Sequence, residues 1–349
     1  MRGFSSKPRA PIAICALALG FVPAAVAGAA APAPVTAGGW DAAQQRTVVH
    51  AGLMADLGGS FDGALALTPG QANAALAALA ARLPASISAV GAHGPRAGRG
   101  AVSVVSFDAL LVGQLGLADV AAHVQRTAVA AGLRPPWYFG SEVLARFLEL
   151  RYEQPIGHEA LDLYPDQPIT RAEAAWSLAR VLAFAEWNVV GAREALGAFE
   201  LPRMSTGQLA ALRVAVSKIG YPYVWGGTTD GTEDGLAHGG YDCSGFVWRV
   251  FKLSGLPWGQ RIKGRTAAEQ AGEIARSERL RAGQLQPGDL LFFGSARFAS
   301  KATEQSVTHE GIYLGDNWVI HSSGQGVYVL PLQGGWLGES FAWGRRVIG

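Results

Sequence analysis

The chain has 349 residues, of which 49% are hydrophobic and 16% charged, and its formal net charge is +2. This length allows two or three domains with cores of their own, so neither a metal nor a disulfide is needed to stabilise a small fold. No basic tract is present, which argues against nucleic acid as the main partner.

Residues 1–29 have the pattern of a secretory signal peptide. A basic start precedes the apolar run 12–22, and small residues suited to cleavage follow at 25–27. Cleavage would remove Cys15, which lies inside the apolar run and not at a lipid attachment position. No later apolar run is long enough to cross a bilayer. We therefore predict a protein exported to the cell envelope or secreted, whose mature chain keeps the single cysteine Cys243 and has no transmembrane segment.

A flexible lead-in at 30–39 precedes a region, 40–190, that is predicted to be helical. Two stretches of this region share one pattern, in which Thr68 is followed by Gln71 and Thr170 by Glu173. A threonine followed three residues later by glutamine or glutamate is a capping box, in which the two side chains accept hydrogen bonds from free backbone N–H groups at the start of a helix.

The second stretch, 163–175, resembles the S-layer homology (SLH) module, whose signature is a loop with an aromatic residue, Pro and Asp followed by Ile-Thr-Arg-Ala-Glu, here 169–173. The resemblance implies small helical modules that hold exported proteins to cell-wall polymers. The first stretch departs from the signature, because residues 68–71 read Thr-Pro-Gly-Gln. The alternative for both stretches is an ordinary capped helix.

Residues 191–204 loosen the helical pattern and are predicted to be a linker. The remainder, 205–349, opens with a capped helix and continues, after a second helix near Cys243, with short strands. The strands are predicted at 290–293, 311–314, 318–321 and 327–330. A helix pair followed by an antiparallel sheet is the α+β class.

Cys243 lies where a loop becomes a helix. Phe246, Val247, Val250 and Phe251 form the apolar stripe of that helix. The unpaired N–H groups and the positive end of the dipole at a helix start favour a thiolate, the nucleophilic form of cysteine. The alternative is a small buried hydrophobic residue in a core.

Two histidines, His309 and His321, fall on one predicted hairpin. The connection 315–317 offers three residues, and Asn317 tolerates a left-handed conformation. If Leu314 pairs with Trp318, Gly311 faces His321 and the two histidines share a face, whereas a two-residue loop would separate them. On one face, His309 could take the Cys243 proton, and His321 could orient the imidazole.

The region 205–349 resembles the NlpC family of bacterial cell-wall cysteine peptidases. The resemblance rests on five pieces: Tyr-Pro-Tyr-Val-Trp-Gly-Gly at 221–227, Asp-Cys-Ser-Gly-Phe at 242–246, Leu-Gln-Pro-Gly-Asp-Leu-Leu-Phe-Phe at 285–293, His309 with Gly-Ile-Tyr-Leu-Gly at 311–315, and Ile-His at 320–321. It implies a papain-like fold, with Cys243 as nucleophile, His309 as base and His321 as the orienting residue.

The same resemblance implies the substrate. Tyr223 matches a tyrosine beside the nucleophile, and Asp242 and Ser244 match residues near the D-glutamyl side of the substrate. The implied substrate is the peptidoglycan stem peptide, cut between γ-D-glutamate and a diamino acid, with no metal or organic cofactor. Two rival functions remain: a non-catalytic envelope protein, and a thiol amidase or acyltransferase acting on another envelope substrate.

Three features depart from the family pattern. Glu310 stands where the family usually has a small apolar residue, and strand alternation predicts that it points away from His309 as a tolerated change. The loops 228–240 and 294–308 are longer than usual. Because both flank the expected cleft, they are predicted to reshape specificity.

Overall fold

The structure is a computed structural model that describes residues 39–84, 87, 101–152, 154–155, 157–231, 236 and 238–349. The predicted signal peptide and almost all of the lead-in fall outside the described residues, as do positions 232–235 and 237 of the loop 228–240. Among the described residues, none of the helices combines the length and apolar character that a bilayer span requires.

Helices dominate the first part of the described chain, and strands dominate the last. The helices are α1 Ala42–His50, α2 Pro69–Ala80, α3 Val104–Gln114, α4 Ala118–Ala130, α5 Phe139–Phe147, α6 Arg171–Leu182, α7 Glu186–Gly197, α8 Thr206–Ser217, α9 Cys243–Trp248, α10 Ala267–Gly272 and α11 Trp336–Ser340. The strands are β1 Thr228–Thr229, β2 Gly240–Tyr241, β3 Leu290–Phe293, β4 His309–Gly315, β5 Trp318–Ser323, β6 Gly326–Pro331 and β7 Phe341–Arg345. The chain is thus a mixed helix and sheet protein.

Three helices of the first part, α2, α3 and α6, begin in the same way. Their N-cap residues are Thr68, Ser103 and Thr170, and each cap hydroxyl accepts a hydrogen bond from the backbone N–H three residues later. The predicted capping box at Thr68 is complete, because the Gln71 side chain also accepts from the Thr68 N–H. Thr170 caps α6 as predicted, but only through its own hydroxyl, because the Glu173 carboxylate lies 3.7 Å from Arg151. The Ser103 cap was not predicted from the sequence, because the residue three positions later is Ser106 and not Gln or Glu.

The residues that precede these caps join the three helix starts in a closed ring of backbone hydrogen bonds. Leu67 donates to Ile169 at 2.8 Å, Ile169 donates to Val102 at 2.8 Å, and Val102 donates to Leu67 at 3.4 Å. Each segment thereby satisfies a backbone group of the next. The helical region is consequently built from three related pieces.

Arg171, from the SLH-like sequence, is buried inside this region. Its guanidinium donates to the carbonyls of Phe61 at 2.8 Å and Ala55 at 2.6 Å, and its Cζ lies 4.6 Å from the centre of the Phe61 ring. These contacts hold α6 against the 55–61 segment. The arginine of the signature therefore has a structural use here, and the SLH resemblance stays a prediction.

The last five strands form one antiparallel sheet in the order β6-β5-β4-β3-β7. One face packs under α9 through Ile312, Ile320 and Phe292, which belong to the main buried cluster. The other face carries a smaller cluster that includes Val319 and Leu337. The elements β7 and α11 follow the last predicted strand and were not predicted from the sequence.

The helical region and the C-terminal region share one continuous apolar cluster, which reaches from Val48 to Val347. The predicted linker 191–204 includes the second half of α7 and the fully buried Phe199, whose ring lies 4.9 Å from that of Trp318. The described parts of the chain therefore pack as neighbours with a common core.

A buried polar seam also joins the two regions. Arg146 pairs with Glu142 at 2.9 Å and donates to the Gly220 carbonyl at 3.0 Å, and the Arg146 carbonyl accepts from Gln325 at 3.1 Å. A cavity of about 30 Å³ beside the seam is lined by Arg146, Gly220, Gln325 and Tyr223. Gly220 and Gln325 belong to the C-terminal region, so α5 supports the segment that leads to Tyr223.

Replacing Arg146 by Met should strongly lower the free energy of unfolding. Loss of one partner leaves the buried Glu142 carboxylate uncompensated, which costs about 3–5 kcal/mol. Urea unfolding of the full chain measures this. Arg193→Met is the control, because Arg193 pairs with Asp119 at the surface and such pairs contribute under about 1 kcal/mol. Similar losses in both variants would contradict a stabilising seam.

Candidate active site

Asp242 fixes the start of α9. Its Oδ1 accepts from the Gly245 N–H at 2.5 Å and from the Ser244 hydroxyl at 3.0 Å, and its Oδ2 accepts from the Gly226 N–H at 3.0 Å. A carboxylate at an N-cap satisfies backbone N–H groups that have no intrahelical partner. Asp242 therefore ties α9 to the 221–227 segment, which carries Tyr223.

Close backbone contact explains the glycine after Ser244. A Cβ on Gly245 would lie 1.9 Å from the carbonyl oxygen of Gly227, a distance that real Cβ atoms do not adopt. Val224 and Tyr241 are hydrogen-bonded alongside, at 3.3 Å from N to O. Tyr223 thus lies on a segment that is packed directly against the start of α9.

Arg265 also reaches this cluster, although sequence analysis did not identify it. Its guanidinium donates to the Ser244 hydroxyl at 2.8 Å, to the Gly226 carbonyl at 2.7 Å and to both Asp242 carboxylate oxygens at 3.2 and 3.3 Å. No local sequence pattern signals this contact, because Arg265 lies more than twenty residues beyond Ser244. The site therefore has a positive charge next to the two residues predicted to meet substrate.

Cys243 is the first residue of α9, and part of its surface is accessible. Burial of the thiol raises the pKa of Cys243 well above its usual range, and the carboxylates of Asp242 and Glu310 raise it further. Backbone hydrogen bonds from Glu310 and Ser244 act in the opposite direction. The direction of this shift is opposite to the one expected from the helix start alone, because burial and the neighbouring Asp242 carboxylate disfavour the ionised thiol.

His309 and His321 meet on one face of the sheet. Gly311 pairs with His321 as predicted, and His309 Nε2 lies 3.0 Å from His321 Nδ1. The two rings are nearly perpendicular, at 87°, with their centres 5.0 Å apart. This contact leaves His309 Nδ1 as the nitrogen available to take a proton from a thiol.

The hairpin reaches this register in a way that differs from the prediction. Trp318 pairs with Gly315 and not with Leu314, and the connection consists of Asp316 and Asn317, both with positive φ. A two-residue loop alone would place the histidines on opposite faces. Leu314 is the extra residue of a bulge, and this restores the shared face.

Aromatic rings enclose the histidine pair. The His309 ring centre lies 5.7 Å from that of Phe293 and 5.2 Å from that of Trp336, and the His321 ring centre lies 4.4 Å from that of Tyr328. Burial lowers the pKa of His309 to about 3. Burial, and then the neighbouring His309, lower the pKa of His321 well below its usual range. Both imidazoles are therefore neutral at neutral pH, the form that a general base requires.

Glu310 faces the helix side of the sheet and is fully buried. Neither of its carboxylate oxygens has a hydrogen-bond partner among the described residues. Burial, and then the Asp242 carboxylate, raise the pKa of Glu310 well above its usual range. Glu310 points away from His309, as predicted. Its buried carboxyl group has no partner among the described residues, so this residue lowers the stability of the fold.

The predicted longer loop 294–308 borders an open cavity. The cavity has a volume of about 530 Å³ and lies against α10. Its walls include Lys263, Glu269, Glu273, Thr303 and Glu304. The loop contributes Thr303 and Glu304 to this wall, whereas the lysine comes from the chain before α10.

Alkylation of Cys243 by iodoacetamide should be slower at pH 7 in the folded protein than in the same protein unfolded in urea. The raised pKa reduces the thiolate fraction, and the thiolate is the form that reacts. The folded rate should rise as the pH increases beyond the usual cysteine range. Mass spectrometry of labelled protein against time measures both rates. Faster labelling of the folded state at pH 7 would contradict the raised pKa.

Replacing Glu310 by Leu should raise the free energy of unfolding by about 1–3 kcal/mol, because two buried oxygens without partners are removed. Glu310→Gln keeps polar atoms at this position and should gain less. Urea unfolding measures the three proteins, with Glu304→Leu as a control on an exposed glutamate of the same loop and strand region. A loss of stability in Glu310→Leu would show that the carboxyl has a stabilising partner.

Comparison with known proteins identifies the C-terminal region. The model of the NlpC/P60 family matches residues 220–346. A probable endopeptidase of Mycobacterium tuberculosis is 34% identical over 120 residues, which are 34% of this chain and 24% of that protein. The bifunctional muramidase/DL-endopeptidase CwlT of Bacillus subtilis is 33% identical over 136 residues, which are 38% of this chain and 35% of that protein.

A γ-D-glutamyl-L-lysine dipeptidyl-peptidase of Bacillus cereus is 31% identical over 132 residues, which are 37% of this chain and 33% of that protein. The chain thus spans only a quarter to a third of the length of these relatives. Among solved structures, an NlpC/P60 family protein from Bacillus cereus matches with a TM-score of 0.32 and 26% identity, over 43% of this chain and 42% of that one. RipD of Mycobacterium tuberculosis, described as a non-catalytic NlpC/p60 domain protein, matches with a TM-score of 0.31 and 21% identity, over 42% of this chain and all of that one.

Proposed function

Because residues 220–346 form an NlpC/P60 domain, we propose that this protein is an exported peptidoglycan endopeptidase. It cleaves stem peptides between γ-D-glutamate and a diamino acid by a thiol mechanism that uses Cys243, His309 and His321. The observation that carries the proposal is the 3.0 Å contact between His309 and His321, on a strand whose Glu310 backbone lies beside Cys243. The names of the relatives from Bacillus subtilis and Bacillus cereus support the choice of bond.

The reaction begins with a neutral thiol and a neutral base. His309 takes the proton of Cys243 as the sulfur attacks the γ-glutamyl carbonyl carbon. The Cys243 backbone N–H, which at the first position of α9 has no intrahelical acceptor, stabilises the resulting oxyanion. His309 then protonates the leaving amine, and a thioester remains on Cys243.

Hydrolysis of the thioester completes the cycle. His309 removes a proton from water, the hydroxide attacks the thioester carbonyl, and the proton returns to the sulfur as the acid product leaves. His321 orients the His309 ring through its contact with Nε2. All of these steps use side chains and the backbone of the chain itself.

The cluster at the start of α9 suits the D-glutamyl side of the substrate. Arg265 pairs with Asp242 and donates to Ser244, so a substrate carboxylate near the nucleophile would not face an uncompensated negative charge. Tyr223, on the neighbouring segment, completes this side of the proposed site. The helical region is proposed to contact cell-wall polymer, and the whole protein to act in the cell envelope or outside the cell.

Digestion of purified peptidoglycan tests the proposed function. The new amine, identified by mass, should belong to a diamino acid, and Cys243→Ala should release none. A folded protein that pellets with walls and releases no product would favour the non-catalytic alternative. Release of a product other than a stem-peptide fragment would favour an amidase or acyltransferase.

The two histidines should differ in their effect on turnover. We expect His309→Ala to abolish cleavage, whereas His321→Ala should leave weak activity, since an orienting residue matters less than the base. His321→Gln should recover part of the loss, because an amide can replace the hydrogen bond to His309. Cleavage rates of a soluble stem peptide by folded variants measure this order. Near wild-type rates in both His321 variants would remove His321 from the mechanism.

A further inference from the structure

Trp336 lies over the histidine pair with its surface open to solvent. Its ring centre is 5.2 Å from that of His309 and 5.8 Å from that of His321, and its residue surface is 43% exposed. It is the first residue of α11. An exposed tryptophan beside such a pair adds apolar surface where a ligand would sit.

The surrounding chain holds Trp336 in place. Leu337 is buried in the apolar cluster on this face of the sheet, and the Trp336 carbonyl accepts from the Ser340 hydroxyl at 2.6 Å. The chain just before α11 is fixed to the hairpin turn, because the Leu332 N–H donates to the Asn317 carbonyl at 2.6 Å. The exposed ring is therefore presented by a supported backbone, which lowers the entropic cost of binding.

Trp336 and the Arg265 cluster lie on different sides of the sheet. Asp242, Ser244 and Arg265 gather at the start of α9, which packs on one face, whereas α11 packs on the other face through Leu337. A guanidinium suits a carboxylate, and an indole suits an alkyl chain that ends in an ammonium. The two sides of the site therefore offer different chemistry to the two residues that flank a scissile bond.

The reaction decides which residue meets Trp336. The group that protonates the leaving amine must lie next to the leaving residue, and in the proposed function that group is His309. Building on that function, we propose that Trp336 lines the subsite of the leaving diamino acid and binds its alkyl chain and terminal ammonium. Trp336 is thus a specificity-determining residue that favours an ammonium-bearing side chain over a short apolar one.

Two soluble peptides test this role by turnover: L-Ala-γ-D-Glu-L-Lys, and the same peptide with L-Ala in place of L-Lys. Trp336→Ala should lower kcat/KM for the lysine peptide about tenfold, because the variant loses the cation–π contact with the lysine ammonium and the apolar surface that covers the lysine alkyl chain. The alanine peptide should change less than about twofold, because it lacks the chain that the ring binds. Trp187→Ala, on an exposed tryptophan of α7, is the matched control and should affect neither. Equal losses for both peptides in Trp336→Ala would overturn the proposal.

Binding to Cys243→Ala, measured by calorimetry, separates this proposal from the proposed function. Cys243→Ala should bind the lysine peptide more tightly than the alanine peptide, and adding Trp336→Ala should abolish the difference. If wild type cleaves neither peptide and this Trp336-dependent preference persists, the proposed function fails and the subsite stands. Equal binding of both peptides with Trp336 present would overturn the subsite, whether or not either peptide is cleaved.

Discussion

The Asp242 carboxylate is the interaction on which the candidate site depends. It caps α9, accepts a hydrogen bond from the Gly226 N–H of the neighbouring turn and pairs with Arg265. The same negative charge, together with burial, keeps the Cys243 thiol protonated. The proposed mechanism starts from a protonated thiol and therefore needs a neutral base, and burial keeps His309 uncharged at neutral pH.

Local patterns predicted those parts of the site that depend on neighbours in sequence. The apolar stripe after Cys243 indicated α9, and short apolar runs separated by turn residues indicated β3 to β6. The histidine pairing was predicted correctly, although the turn was not, because a bulge at Leu314 offsets the shorter loop. A bulge can compensate for a shorter loop, so sequence spacing alone does not distinguish a three-residue connection from a two-residue connection with a bulge.

Features that depend on distant parts of the chain could not be predicted. Arg265 reaches Ser244, and Arg146 reaches Gly220, through packing that no spacing rule encodes. The raised pKa of Cys243 likewise follows first from burial in the folded protein, to which the charges of the neighbouring Asp242 and then the distant Glu310 add. Helix capping and dipole effects are short-range, and tertiary desolvation exceeds them once the core forms.

The shared core has a consequence for how the protein survives outside the cytoplasm, where we propose it acts. A cluster that reaches from Val48 to Val347 couples the helical region to the sheet that carries the histidines. Segments that share one core are expected to open as one cooperative unit. A protease that cleaves the opened state would therefore gain access to both parts at once, so the survival of the sheet that carries the histidines follows the free energy of opening the shared core.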